Sequence, residues 1–217
     1  MYPNYFVVFD LETGGLTTKG ECSPITEIAM VVVDNQLNDV VEYSTLIKPY
    51  VDPSKYTKEA LAVSNITLQM CEEKGVEASV AAKQIIDVLK KAKLPTGGKK
   101  PILVGHNIDS FDIPILDYFL TLFKHDLSKV AESSCSIDTK WWGRLAYPDL
   151  PGYTLSDCLT KEGIDNAQSH RALGDTRANK ELFVNMMKKL RGEGVLFVES
   201  ENKERFRKTF RFQFAKK

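Results

Sequence analysis

Apolar runs separated by turn-forming residues fill the first fifty positions of the chain. The runs are rich in β-branched and aromatic side chains, which is typical of β-strands, and they cover residues 5–10, 25–33 and 40–48. Glycine, asparagine and aspartate residues occupy the gaps between them. Because short connections favour pairing of consecutive strands in opposite directions, the pattern predicts an antiparallel three-stranded meander.

The hydrophobic period then changes to that of helices. Apolar residues recur at helical spacing over residues 79–93, before the sequence PTGG ends the pattern. A short apolar run predicts a buried strand at 102–104, and helices are predicted at about 113–123, after the capping sequence at 154–157, and at 172–191. Strands followed by helices around a further strand predict an α/β fold, in which helices flank a mixed sheet.

Composition narrows the class of protein. The 217 residues are 43% hydrophobic and 27% charged, which argues against disordered, collagen-like and disulfide-scaffold proteins. No run of about 18 uncharged apolar residues occurs, so the sequence predicts no membrane contact. The first residues lack the basic segment of a signal peptide, and the four cysteines form no CxxC pair. We therefore expect a cytoplasmic protein with reduced thiols.

The charge is balanced overall but unevenly distributed. Lys and Arg total 29, as do Asp and Glu, and a neutral chain by itself argues against a nucleic-acid partner. Residues 203–217, however, carry seven basic residues and one acid, a net charge of +6 that leaves −6 for residues 1–202. Phenylalanines alternate with basic residues in this tail, which predicts an edge strand that either packs on the body or binds phosphates or a partner.

Two acidic residues stand at the end of the first predicted strand. Asp10 and Glu12 are two positions apart, so both carboxylates leave the same face of that strand. Adjacent carboxylates repel each other, and a bound cation such as Mg²⁺ keeps them ionised most easily. The glycines of the following sequence, TGGL at 13–16, allow backbone N–H groups to approach a phosphate or a base. Taken alone, the acidic pair is also consistent with a solvated strand end.

The predicted strand at 102–104 leads into the sequence GHNIDSFDIP. This sequence places His106 and Asn107 directly after the strand, and Phe111 and Asp112 at the start of a strongly apolar helix. A carboxylate that enters an apolar segment is costly unless it is paired, binds a metal or caps the helix. Metal binding and helix capping are both open interpretations of Asp112.

The last predicted helix carries a third acid. Asp175 lies three positions from both Ala172 and Ala178, on the apolar stripe, where a carboxylate requires a partner or a metal. His170 stands at the entrance to this helix. Acidic residues thus follow one another at a strand end, a strand-to-helix junction and a helix face, and their joint occurrence indicates a shared site.

These motifs resemble those of the DEDDh branch of the DnaQ-like 3′→5′ exonucleases, a superfamily that includes RNase T and the TREX exonucleases. They read DLE at 10–12, NIDSFD at 107–112 and HRALGD at 170–175. The segments ITEIAMVVVD and TKEALAVSNIT are also similar to that family, and the resemblance covers roughly residues 5–190. It implies an RNase H-like fold, with a mixed sheet of five strands whose first three are antiparallel.

The resemblance also implies a role for each matched residue. It implies that four carboxylates hold two Mg²⁺ or Mn²⁺ ions, with the first of them bridging the pair: Asp10, Glu12, Asp112 and Asp175. It implies that His170 is the general base. It assigns seven residues to contact with the terminal nucleotide or to support of the site: Thr13, Gly14, Gly15, Leu16, His106, Asn107 and Phe111.

The implied activity is metal-dependent hydrolysis from the 3′ end of DNA, preferably single-stranded, with release of nucleoside 5′-monophosphates. An exoribonuclease of the same fold, and a nucleic-acid-binding subunit of a polymerase or repair complex, are the alternatives. Residues 1–192 are expected to form the exonuclease domain, and residues 193–217 an extension outside the family pattern. DNA with a free 3′ end is the expected partner. RNA, a polymerase or repair protein, and a second copy of the chain are partners that the sequence leaves open.

Overall fold

The computed structural model describes residues 4–15, 22–167 and 169–192. Five strands form one sheet in this part of the chain, in the order β3-β2-β1-β4-β5. The β1–β2 and β2–β3 pairs are antiparallel, and the β1–β4 and β4–β5 pairs are parallel. The predicted meander and the mixed sheet are therefore confirmed. The strands are β1 (Phe6–Thr13), β2 (Ile25–Val33), β3 (Asp39–Leu46), β4 (Ile102–Gly105) and β5 (Glu132–Asp138).

Helices flank this sheet, as the α/β prediction requires. Threonine side chains accept the N-terminal hydrogen bonds of three of them, and Thr154 and Asp157 form the predicted capping box. The described α-helices are α1 (Lys58–Ser64), α2 (Leu68–Lys74), α3 (Ala78–Lys93), α4 (Asp112–Leu122), α5 (Thr139–Ala146), α6 (Leu155–Glu162) and α7 (Ala172–Arg191).

The periodic pattern does not predict β5, α1, α2 or α5. The β5 sequence, ESSCSID, has no apolar alternation, and it is extended because its backbone pairs with β4 at the sheet edge. The helices α1 and α2 have seven residues each, too few for a helical period to show. Pairing with β4 thus decides β5, threonine caps begin α1 and α2, and Asp138 caps α5.

Alternation along β1 determines where the acidic residues point. Val7, Phe9 and Leu11 of this strand belong to the hydrophobic core beneath α3 and α4. On the other face, Phe6 packs against Phe183 of α7, with ring centroids 5.0 Å apart. Because side chains alternate across a strand, Asp10 and Glu12 share the face of Phe6 and point toward the α7 side of the sheet.

The chain divides into two compact units, residues 1–184 and 185–217. The first unit contains the sheet, α1 to α6 and most of α7, and of the second the structure describes only the end of α7. The strand predicted within 203–217 lies outside the described residues. Among the described helices, none combines the length and apolar character that a membrane crossing requires.

Candidate active site

Two strand residues and one helix residue bring carboxylates together at the end of β1. Oxygen atoms of Asp10, Glu12 and Asp175 all lie within 4.8 Å of one another, and the three side chains are half-buried. Helix α7 supplies Asp175 from its first turn, on the sheet face toward which Asp10 and Glu12 point. The three acids that the sequence predicted to share a site are therefore adjacent in the structure.

Asp112 joins this group from α4. It is 4% exposed, and its Oδ1 accepts a hydrogen bond of 3.2 Å from the backbone N–H of Leu11, which lies between Asp10 and Glu12. The N-cap position of α4 is Phe111, so Asp112 is the first helical residue and its carboxylate reaches β1 instead of capping the helix. Of the two interpretations open from the sequence, the structure favours membership of the acidic site.

The protein gives these carboxylates little compensation for their charge. Burial raises the pKa of Asp10 well above its ordinary value, and the neighbouring Asp112 and Glu12 raise it further. Burial also raises the pKa of Glu12 to about 7, with Asp175 and Glu27 adding to the effect. The pKa of Asp112 rises to about 8 through burial, against the opposing hydrogen bond from Leu11. Hard oxygen donors that resist ionisation together fit a divalent cation, which would keep them ionised.

A pH dependence of stability follows for the metal-free protein. Because the pKa values of Glu12 and Asp112 are raised, the folded state binds more protons than the unfolded state above the ordinary carboxyl pKa. The contribution of these groups to the free energy of unfolding is therefore full below that pKa and is lost as the pH rises toward 8. We expect the melting temperature in chelator to decrease from pH 4.5 to 8, and added Mg²⁺ to raise it more at pH 8 than at pH 5. Thermal denaturation at both pH values checks this, and an equal Mg²⁺ effect at the two would contradict it.

His170 occupies the turn before α7. Its side chain is exposed, and its backbone is left-handed, with φ 62°. Its N–H donates to Asp175 Oδ2 at 3.0 Å, while Asn166 Nδ2 donates to Asp175 Oδ1 at 2.5 Å. Both oxygens of Asp175 are thus held by the turn that presents His170, and the left-handed backbone of His170 is one that histidine adopts more readily than most residues.

Glu27 and Arg171 form an ion pair beside the acidic residues. The sequence pattern did not predict this pair. The Glu27 side chain is 5% exposed and stands directly opposite Glu12 in the β1–β2 ladder. It accepts two hydrogen bonds from the Arg171 guanidinium, at 2.7 and 3.0 Å, and one at 3.1 Å from the backbone N–H of Ala172. The pair therefore fastens the turn that carries His170 to β2. The one charged residue within the mostly apolar run ITEIAMVVV was the available signal.

Substitution of Glu27 is expected to affect catalysis through this attachment. In Glu27→Gln the Arg171 fork loses its ionic partner, and displacement of His170 should lower kcat about tenfold to hundredfold. Glu42→Gln is the matched control, because Glu42 also binds an arginine, Arg177 of α7, through two hydrogen bonds but on the exposed surface. Steady-state kinetics checks this, and an equal effect of both substitutions would remove the positioning role.

The residues after β4 are held by α5 and its surroundings. Both ring nitrogens of His106 have partners, Thr139 Oγ1 at 3.1 Å and the Tyr153 carbonyl at 2.9 Å, and burial lowers the pKa of the imidazole. Asn107 has left-handed backbone, its N–H donates to Asp138 at 2.9 Å, and its Oδ1 accepts from Lys140 at 3.1 Å. The structure thus shows structural contacts for both residues, and their contact with substrate stays a prediction.

Close packing explains the two glycines after β1. A Cβ on Gly14 would lie 2.3 Å from the Tyr56 ring, and one on Gly15 would lie 2.2 Å from the Lys55 carbonyl oxygen. Their N–H groups donate to the Pro24 carbonyl and to Ser23 Oγ. Contrary to the expectation from sequence, neither N–H is therefore available to a phosphate in this conformation.

The other residues predicted to contact a nucleotide are Thr13, Leu16 and Phe111. Phe111 is 38% exposed beside Asp112, so its ring is accessible to a base. Thr13 is the last residue of β1, directly after Glu12. Leu16 lies outside the described residues. Contact of Thr13 and Phe111 with a nucleotide stays a prediction.

Comparisons with known proteins agree with this arrangement. The RNase_T family, described as Exonuclease, matches residues 7–183. The PolC-type DNA polymerase III of Bacillus subtilis (strain 168) is 27% identical over 198 residues, and the 3′-5′ exonuclease DinG of the same organism is 29% identical over 188 residues. The alignments cover 91% and 86% of this chain. The chain spans only 12% and 18% of the length of those proteins.

The fold is also similar to that of a solved structure. The crystal structure of E. coli Exonuclease I in complex with a dT13 oligonucleotide has a TM-score of 0.69 and 20% sequence identity. The similarity covers 86% of this chain and 41% of that chain. At this level of identity the likeness concerns the fold, and it confirms the RNase H-like expectation.

Proposed function

Because the chain belongs to the DnaQ-like 3′→5′ exonuclease family, we propose that it hydrolyses DNA from a free 3′ end, with a preference for single strands. The observation that carries the proposal is the convergence of Asp10, Glu12 and Asp175 within 4.8 Å, beside the buried Asp112. Such a cluster would repel a phosphodiester unless cations reverse its charge. Relatives and neighbours named for 3′-5′ exonuclease activity and for an oligonucleotide complex support the substrate class.

We assign the cation sites to the carboxylates of Asp10, Glu12, Asp112 and Asp175, with Asp10 central among them. Two Mg²⁺ ions, replaceable by Mn²⁺, would neutralise the phosphodiester and favour ionisation of water. The protein's own part is to hold these oxygens in place. The Leu11 N–H orients Asp112, and Asn166 with the His170 N–H orients Asp175.

His170 is the proposed general base. Its exposed imidazole can take a proton from the attacking water, whose oxygen bonds to phosphorus as the bond from phosphorus to the 3′ oxygen of the preceding nucleotide breaks. The products are a nucleoside 5′-monophosphate and a strand with a new 3′-hydroxyl. Phe111, exposed beside Asp112, offers a ring against which a terminal base can stack.

A degradation time course tests the function and its alternatives. The substrates are 3′- and 5′-labelled single-stranded DNA, duplex DNA and RNA, each with Mg²⁺, with Mn²⁺ and with chelator. We expect loss of the 3′ label first, stepwise shortening of the 5′-labelled strand, and no reaction in chelator. Preferred degradation of RNA would favour the exoribonuclease, and binding without hydrolysis would favour a subunit of a polymerase or repair complex.

A further inference from the structure

Helix α5 presents an apolar and cationic face to solvent. Trp141 is 56% exposed and Leu145, one turn later, is 84% exposed. The Arg144 guanidinium carbon lies 4.7 Å from the Trp141 ring centroid and 5.5 Å from the Tyr153 ring centroid. These four residues, Trp141, Arg144, Leu145 and Tyr153, are called the α5 stack below.

The hydrophobic core does not account for this surface. The adjacent Trp142 turns inward, with its ring 6.5 Å from that of Phe183, whereas Trp141 remains outside. Among the residues that the structure describes, no carboxylate forms an ion pair with Arg144. The Arg144 guanidinium lies beside the exposed Trp141 ring and the half-buried Tyr153 ring, and its charge is unpaired in this part of the chain. This arrangement is suited to an anionic ligand that also has flat apolar faces.

The α5 stack is connected to the acidic site through the residues that follow β4. Asp138, at the N-cap of α5, accepts hydrogen bonds of 2.9 Å from the N–H of Asn107 and from that of Lys140. His106 binds the Tyr153 carbonyl at 2.9 Å. Because β4 and β5 are parallel, their C-terminal ends lie on the same side of the sheet. The chain leads from these ends into α4, which begins with Asp112, and into α5.

We propose that the α5 stack binds the single strand on the 5′ side of the nucleotide that is being removed. The inference rests on the proposed function and extends it to a second binding position for the same strand. Bases would stack on Trp141 and against Leu145, and Arg144 would contact a phosphate. Stacking accepts every base, since each has a π-face, so this surface would hold the strand without selecting its sequence.

Substrates of different length distinguish strand binding by the α5 stack from hydrolysis at the catalytic site. We expect a dinucleotide to occupy the catalytic site without reaching α5, and a 15-nucleotide oligo(dT) to occupy both. In Trp141→Ala and Leu145→Ala we expect KM for the 15-mer to rise about fivefold to tenfold. This increase corresponds to the lower part of the range of binding free energy that is lost when one stacked base loses its side chain. The kcat for both substrates and the KM for the dinucleotide should stay unchanged.

Leu94→Ala is the matched control, because Leu94 is 77% exposed in the turn that precedes the opposite end of β4. Arg144→Gln should also make the salt dependence of 15-mer binding less steep, by about 0.7 in the log–log slope for one lost phosphate contact. Thermal melting of each variant verifies that it folds. We expect the variants to fold because the substituted side chains are exposed.

The outcomes distinguish this inference from the proposed function. Hydrolysis of both substrates by the wild type with equal KM in all variants would overturn the inference and leave the function intact. The same KM change for both lengths would also overturn it. If the wild type hydrolyses neither substrate, the proposed function itself fails. Unchanged strand binding together with a dimer or complex lost in Trp141→Ala would identify the α5 stack as a protein interface instead.

Discussion

Replacement of Asp112 by Asn is expected to lower exonuclease activity by about 10³-fold or more, because the cation that we propose this carboxylate holds would contribute several kcal/mol to stabilisation of the transition state. The amide keeps the shape of the side chain and an oxygen that can accept the Leu11 N–H. Burial raises the pKa of Asp112 to about 8, so its ionised form destabilises the metal-free fold. The variant should therefore melt at the same temperature as the wild type or higher at pH 8, in chelator.

Opposite directions of activity and stability make this result specific. A variant that simply unfolds would lose both, whereas loss of a cation ligand removes activity and relieves charge repulsion. Asp117→Asn on the exposed side of the same helix is the control, and it should change neither quantity. Hydrolysis of labelled single-stranded DNA and thermal denaturation measure the two effects. Near-wild-type turnover by Asp112→Asn would sink the assignment of this residue to the cation site.

The second large effect is expected at His170. His170→Asn should lower kcat about 10²–10⁴-fold if the imidazole is the general base, with little change in KM. Asparagine is chosen because it tolerates left-handed backbone, which His170 adopts with φ 62°. The backbone N–H remains to bind Asp175, so the acidic group keeps its arrangement. The measurement is steady-state hydrolysis at saturating Mg²⁺.

Two controls isolate the imidazole from the turn that carries it. His125→Asn replaces a histidine in the turn after α4 and should leave kcat unchanged. Stabilisation of His170→Asn by Mg²⁺ should equal that of the wild type, because the four carboxylates are intact. A kcat within a factor of about three of the wild type would exclude His170 as the base.

Sequence periodicity was sufficient for the elements with strong apolar patterns. Strands β1 to β4 and helices α3, α4 and α7 occur where the spacing of apolar residues predicts them. The edge strand β5 was missed because its residues are polar and its conformation depends on pairing with β4. Helix α5 was missed because it has only eight residues and because Trp141, an apolar residue next to the inward-facing Trp142, is exposed.

The candidate site shows the same division between local and distant information. Asp10, Glu12 and Asp175 were recognisable because a carboxylate at a strand end or on an apolar helix stripe conflicts with its surroundings. Glu27 conflicts with its strand in the same way, but its role depends on Arg171, which lies 144 positions away. Only the folded chain shows that the two residues pair.

The amino-acid sequence by itself determined the meander, the faces on which the acids lie and the family resemblance, because these depend on residue spacing and connection lengths along the chain. The tertiary structure decided which acids lie next to one another and how their surroundings change their pKa values. Placing β1 between β2 and β4 brings Leu11 to Asp112 across 101 positions, and it sets Glu27 opposite Glu12. Burial and mutual repulsion then raise the pKa values of Asp10, Glu12 and Asp112, so the proposed cation requirement is a property of the assembled site and of no single motif.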